Sequence, residues 1–307
     1  MRALMKFIDF FVKKKIMISK QKEFESRIRK IRLSQTKETF VFDHPIWNRR
    51  HVRKITPNNF RSDNVFVWQS RGFKKNEILE SYLWVEANDH EGLLDKLIED
   101  GSFGVDAYNY KGRLISRDLI DSFLEINFIK NSLFKIPGSI LDIGAGYGRL
   151  AYRLCQVTDL MQITCIDAVP IATAVSEIYL KEPIKKGRVK VLSLNEVNEI
   201  KKGSIELATN IHSFSEMSLN DVRLWVNFVA SLEVPYLFIV PNRNSLQLND
   251  GQSFGQILEE FEYRVFVTRS KYELNGSKYD GIYPATYFML RNDKFFKNRE
   301  RERMQLR

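Results

Sequence analysis

Between residues 139 and 291, short apolar runs alternate with segments whose apolar positions recur every three or four residues, a pattern that predicts strands interleaved with helices. Residues 139–143 read as a buried strand, 144–148 as a glycine-rich turn and 149–157 as a helix. Residues 161–167 return as a strand, and Pro170 opens a helix that turns Ile171, Ala174, Val175 and Ile178 to one side. Strands follow at 188–194, 204–211 and 236–240, with a helix between the last two whose Val222, Trp225, Val226 and Val229 share a face. A helix around 254–261 leads to strands at 262–269 and 282–290, joined by a loop from Gly276 to Gly281, and these predict an antiparallel closing pair. The fold class expected is α/β: a Rossmann-like, mostly parallel sheet with an antiparallel terminal strand, preceded by a mixed helical region.

That preceding region is less regular. Ser116 stands before Leu119, Ile120, Phe123 and Leu124, a helical face with a good N-cap, and Pro137-Gly138 closes the element. Residues 41–136 also hold Trp47, Trp68, Trp84, Phe103 and Tyr108, which predicts a unit laid over the acceptor side of the sheet. Before it, Leu4, Phe7, Ile8 and Phe11, then Phe24, Ile28 and Ile31, outline an amphipathic helical arm containing Lys13, Lys14 and Lys15. The division expected is therefore a basic arm at 1–40, an acceptor-covering region at 41–136, a sheet domain at 137–291 and a basic tail at 292–307. Packing on its own domain or on a partner chain is one reading of the arm; peripheral contact with an anionic membrane surface is the other.

Charge changes the picture only at the ends. The chain of 307 residues carries a formal charge of +10, but residues 1–40 hold 12 Lys and Arg against 4 Asp and Glu, and 291–307 hold 7 against 3. The intervening body, with 29 against 31, is nearly neutral, so no nucleic-acid groove is expected in the fold itself. Two cysteines, Cys155 and Cys165, are too few for a disulfide framework and lack metal-like spacing, which fits a cytoplasmic setting. No run approaches the length of a transmembrane helix, and the opening residues lack the uninterrupted apolar stretch and cleavage site expected of a signal peptide.

The chemistry is concentrated in Ile140-Leu141-Asp142-Ile143-Gly144-Ala145-Gly146-Tyr147-Gly148-Arg149-Leu150, a strand running into a glycine turn and a helix. Glycines let such a turn bend sharply and bring backbone N–H groups close to a ligand at a helix N-terminus. The spacing is G-x-G-x-G rather than the G-x-G-x-x-G of dinucleotide sites, and Asp142 precedes the first glycine. It looks like motif I of Rossmann-like methyltransferases, which implies S-adenosyl-L-methionine as cofactor, held by Asp142, Gly144, Ala145, Gly146, Gly148, Asp167 and Ala168. Asp167 ends the second strand, where a carboxylate can accept both ribose hydroxyls of a nucleoside. A merely structural turn and a nicotinamide site are the competing readings.

With those motifs in place, the chain resembles a family of sugar O-methyltransferases, bacterial proteins that look like enzymes of surface-glycan synthesis. The likeness rests on Ser116-Arg117-Asp118-Leu119-Ile120-Asp121-Ser122, on Asp142 to Leu150, and on Phe214-Ser215-Glu216-Met217. It implies a class I methyltransferase fold and a sugar or glycan acceptor, nucleotide-linked or lipid-linked. A sugar hydroxyl is a poor nucleophile, so a base near the fourth strand end is expected, with His212 as first candidate and Glu216 as competing base or orienting partner. Arg117, Asp118 and Asp121 fit either the acceptor or a solvated helix face; Asn210, Asn242 and Asn244 fit sugar hydroxyls or ordinary turns. No metal-ligand cluster is apparent. A nucleic-acid methyltransferase lacks support because Asn210-Ile211-His212-Ser213 is unlike an Asn-Pro-Pro-Tyr motif, and a nicotinamide enzyme because no Tyr-x-x-x-Lys pair is found. A non-catalytic assembly subunit on the same fold would need no base.

Overall fold

The computed structural model describes residues 22–31, 33, 55–63, 73–159, 161–282 and 285–305. Most of the basic arm, including Leu4 to Lys15, lies outside them, as do Trp47 and Trp68.

Seven strands form one sheet. In chain order they are β3 (Ser139–Ile143), β4 (Gln162–Ile166), β5 (Val189–Leu192), β6 (Leu207–Ile211), β7 (Tyr236–Val240), β8 (Tyr263–Ser270) and β11 (Thr286–Asn292). Across the sheet the order is β5-β4-β3-β6-β7-β11-β8. Strands β3 to β7 run parallel, while β11 is antiparallel to both of its neighbours, β7 and β8. The expected Rossmann-like, mostly parallel sheet is therefore present. One detail differs from a simple terminal hairpin: β11 inserts between β7 and β8, so the strand that closes the chain is not the edge of the sheet, and β8 points the same way as the parallel strands.

Alternation along the strands builds two cores. Ile140 and Phe238 belong to one apolar cluster, whereas Leu141, Leu237 and Ile239 belong to the other, as the two-residue strand period requires. Helix α7 (Leu219–Ser231) covers the second face, burying Val222, Trp225, Val226 and Val229. The first face is covered by α3 (Arg117–Leu133), whose Leu119, Ile120, Phe123, Leu124 and Phe128 are buried. Ser116 caps that helix, its Oγ accepting from the Leu119 N–H at 3.1 Å.

Residues before the sheet share its first core. Helices α1 (Lys75–Asn88) and α2 (Leu93–Lys96) and the hairpin β1 (Ala107–Tyr110) and β2 (Arg113–Ser116) contribute Ile78, Tyr82, Val85, Leu93, Leu94 and Ile115 to the cluster that contains Ile140 and Leu150. Trp84 of α1 stacks on Tyr279, with centroids 5.6 Å apart, beside the small hairpin β9 (Glu273–Leu274) and β10 (Ser277–Lys278). The helical residues 22–31 also belong to this core: Phe24, Ile28 and Ile31 are buried in it, and Arg27 forms a forked ion pair with Glu177. The apolar face of that part of the arm is thus spent on packing. No helix among the described residues is long and apolar enough to cross a membrane.

Candidate active site

The direction of the strands brings the chemistry to one edge. The glycine turn follows β3, Asp167 follows β4, His212 follows β6, Asn242 lies just beyond β7 and Lys271 follows β8. All five points lie at the carboxyl end of the sheet, where open α/β sheets bind ligands.

Gly144, Gly146 and Gly148 adopt φ values of 72°, 60° and 85°, in the left-handed region that favours glycine. The N–H groups of Gly144 and Ala145 donate to the Ile166 carbonyl at 2.9 and 3.2 Å, so the turn is fastened to the end of β4. Two of the glycines are also needed for space: a Cβ on Gly144 would lie 2.3 Å from Ser213 Oγ, and one on Gly148 would lie 2.4 Å from Leu180 Cδ1. A Cβ on Gly146 would meet nothing within 4 Å, so this side of the turn opens onto unfilled space. Helix α4 (Arg149–Val157) starts directly behind it.

Asp167, with 9% of its surface exposed, faces this opening. Its Oδ2 accepts from the Gly146 N–H at 2.9 Å and its Oδ1 from the Val169 N–H at 2.8 Å. Each carboxylate oxygen keeps a second lone pair for a further donor. Burial pushes its pKa up to about 7, against the two backbone hydrogen bonds that pull it down. Half-buried Ala168 continues the chain beside it. Asp142 lies deeper, in β3, where Thr209 Oγ1 donates to its Oδ1 at 2.7 Å; burial pushes its pKa up to about 6. Sequence reasoning missed Thr209, whose hydroxyl faces Asp142 because β3 and β6 pair in register at those positions.

On the other side of the turn, His212 is half-buried and holds a left-handed φ of 67°, strained for a residue with a side chain. Its N–H donates to the Val240 carbonyl at 2.6 Å, which draws the end of β6 against β7. Burial, reinforced by Lys271 and Arg117, pushes its pKa down to about 3, although Asp121 acts the other way. The imidazole is neutral across the physiological range. Glu216 ends the short 3₁₀ turn Ser213–Glu216 and is half-buried.

Several of the other predicted groups have different surroundings. Arg117, Asp118 and Asp121 are 7–8% exposed, so the solvated helix face is ruled out for them. Asp121 receives Lys271 Nζ at 2.5 Å and Arg117 Nε at 3.2 Å, and those cations hold its carboxyl well below the usual range. Arg149 forms a two-pronged bond with Glu125 at 2.8 and 2.9 Å. Lys271, 3% exposed, escaped sequence reasoning because it falls just past a strand with no periodic signal of its own. Asn210 is fully buried, donating to the Ile143 carbonyl at 2.9 Å and accepting from the Phe214 N–H at 2.7 Å. It is a bracket between strand ends, so its side chain has no surface to offer a sugar. Asn242 Nδ2 donates to Asn249 Oδ1 at 3.1 Å, and Asn244 is exposed.

No protein-family model and no curated protein matches the chain. Among solved structures it is similar to the mitomycin 7-O-methyltransferase MmcR, with TM-score 0.41 and 16% identity over 57% of this chain and 56% of that one. It therefore spans little more than half the length of MmcR. It is also similar to a SAM-dependent methyltransferase from Aquifex aeolicus, with TM-score 0.39 and 16% identity over 68% and 97% of the two chains. A third is the [4+2]-cyclase SpnF, with TM-score 0.45 and 13% identity over 61% and 86%. Two methyltransferases and a cyclase share this degree of likeness, so it does not select an activity.

Proposed function

We propose that this protein is an S-adenosylmethionine-dependent O-methyltransferase acting on a sugar hydroxyl, with the acceptor drawn from surface-glycan synthesis. The observation that carries the cofactor reading is the pairing of an open, left-handed Gly146 with Asp167 across the ends of two adjacent parallel strands. The site fits a nucleoside: Asp167 has lone pairs for ribose hydroxyls, the Gly144 to Gly148 turn lets a ligand approach the backbone, and Asp142 behind it is held by Thr209. Ala145 and Ala168 would flank the cofactor without crowding it. Bound there, S-adenosylmethionine supplies an activated methyl group on a sulfonium.

The chain's own task is then to present a hydroxyl and manage its proton. The acceptor half of the edge lies over β6, β7 and β8, where His212 lies within electrostatic reach of Asp121, Arg117 and Lys271, and Glu216 ends the short turn that follows His212. His212 is our proposed proton acceptor, since its neutral state is fully populated at physiological pH. Its depressed pKa makes it a weak base, so its share should lie toward the low end of the ~10²–10⁴-fold range for general-base catalysis. The nearby cations compensate by favouring negative charge as it develops on the acceptor oxygen. Glu216 is proposed as orienting partner or second candidate base.

Methyl-labelled S-adenosylmethionine tests this reading directly. Label should pass to a nucleotide-linked or lipid-linked sugar with an equal yield of S-adenosylhomocysteine. Label found in RNA or protein, and not in glycan, would keep the methyl transfer and discard the sugar.

A further inference from the structure

Tyr147 is the only large side chain inside the glycine turn, and it is tied down far from the turn itself. It is 6% exposed, and its hydroxyl donates to Asp118 Oδ2, on the first turn of α3. Its ring lies edge-on to Tyr179, with centroids 5.2 Å apart, and 5.8 Å from Phe60. Asp118 Oδ2 also accepts from Arg61 Nη2 at 3.4 Å. Arg61, completely buried, reaches Glu99 at 2.9 Å and Asp100 at 3.0 Å, and Glu99 in turn receives Arg153 of α4 at 2.7 Å and Ser116 at 2.6 Å. A chain of buried hydrogen-bonded charges thus runs from the segment 55–63 through α3 to the residue between Gly146 and Gly148.

Buried ion pairs return little net stability once desolvation is counted, and their better attested role is to fix one arrangement. A turn with three glycines needs such fixing, because glycine loses more backbone freedom on ordering than any other residue. Burial and the neighbouring Asp118 push the Tyr147 pKa well up, so the hydroxyl remains a donor at any physiological pH. We propose that Tyr147 and Asp118, backed by Arg61, are positioning residues that hold the glycine turn in its ligand-ready shape, so that the cofactor binds without first ordering the loop. This inference rests on the cofactor reading given above. Pre-organisation of this kind appears in affinity, whereas a purely structural contact appears in the stability of the unliganded protein.

The test is a double-mutant cycle in the full chain, titrated with S-adenosylhomocysteine and paired with thermal unfolding of each unliganded protein. Tyr147→Phe keeps the ring packing, and it should weaken binding about 10-fold, the scale of one hydrogen bond to a charged group, with at most a modest fall in the unliganded melting temperature. Asp118→Ala should weaken binding to a similar degree. The double variant should bind no worse than the weaker single variant, because both remove one contact. Asp118→Asn keeps an acceptor oxygen for the tyrosine and should stay within about 3-fold of wild type, a result expected whether or not Asp118→Ala folds. Unchanged affinity in Tyr147→Phe, with or without a fall in melting temperature, or additive losses in the cycle would each overturn the positioning role. Failure of the wild-type protein to bind S-adenosylhomocysteine would overturn the cofactor reading and this inference together, whereas binding by wild type with no change in Tyr147→Phe removes the inference alone.

Discussion

Lys271, just past the end of β8, places its ammonium 2.5 Å from Asp121 on α3, so one buried ion pair fastens the last part of the sheet to the helix that covers the first core. Replacing Lys271 with Met should leave Asp121 with Arg117 as a partner and lower stability by about 3 kcal/mol, the usual consequence of breaking a buried pair. It should also release His212 from one of the cations that depress it. Its titration should then move upward from about 3, which NMR of the histidine ring protons can follow, with His212→Ala assigning the resonance. An unmoved titration would mean that Lys271 has no part in the depressed value, leaving burial and Arg117 to set it.

The base assignment separates by substitution. His212→Ala should lower turnover about 10²-fold while cofactor affinity barely changes, since general-base catalysis acts in the transition state. Glu216→Gln should do less damage. Single-turnover measurements with the true acceptor decide between them, and a larger loss in Glu216→Gln would give the role to the carboxylate.

Much of this edge was legible in the sequence, for identifiable reasons. The sheet and its helices followed from periodicity, and the turn from Gly144, Gly146 and Gly148, because local backbone demands write themselves into local sequence. Asp167 could be placed because strand ends in a parallel sheet share an edge. What the sequence left open depended on pairing at a distance. Arg61 meets Asp118 across 57 positions, and Lys271 meets Asp121 across a longer gap still, with no pattern at either end to announce the contact. Asn210 shows how local chemistry leaves a choice open: its strand-end amide fits a sugar hydroxyl or an ordinary turn, and only the pairing of strand ends shows it used up bracketing Ile143 and Phe214.

Asp167 gives a pH dependence with a definite sign. Its pKa is raised from 3.8 to about 7, so the group adds stability below 3.8 and loses that contribution as pH rises through 7. The unliganded wild type should therefore gain stability relative to Asp167→Asn on acidification from pH 7.5 to pH 4.5. Cofactor affinity should run the other way. If the ionised carboxylate accepts the ribose hydroxyls, binding should weaken by up to about tenfold per pH unit below 7, and Asp167→Asn should flatten the curve. Denaturation and titration across this range check both halves, and a flat wild-type binding curve would remove Asp167 from the ribose.

The arm can be divided by its packing. Phe24→Ala or Ile31→Ala should destabilise the protein by about 3 kcal/mol, as buried large-to-small changes do. A contact of the basic arm with anionic membranes, which we retain as a proposal, must then be tested by removing residues 1–21 alone. Loss of co-sedimentation with anionic vesicles, at unchanged thermal stability, is the outcome expected for a surface contact. Equal sedimentation of both proteins would assign the arm to packing.

The central claim is the cofactor, and calorimetric titration of the purified full chain with S-adenosylhomocysteine and, separately, with NAD addresses it most directly. One equivalent of S-adenosylhomocysteine should bind, NAD should not, and Gly146→Val should abolish the binding with the fold retained. A Cβ at Gly146 meets no protein atom within 4 Å, but its φ of 60° resists a β-branched residue and, on the proposed cofactor reading, the side chain would obstruct the ligand. Binding of NAD in place of S-adenosylhomocysteine, or undiminished binding in Gly146→Val, would contradict the assignment.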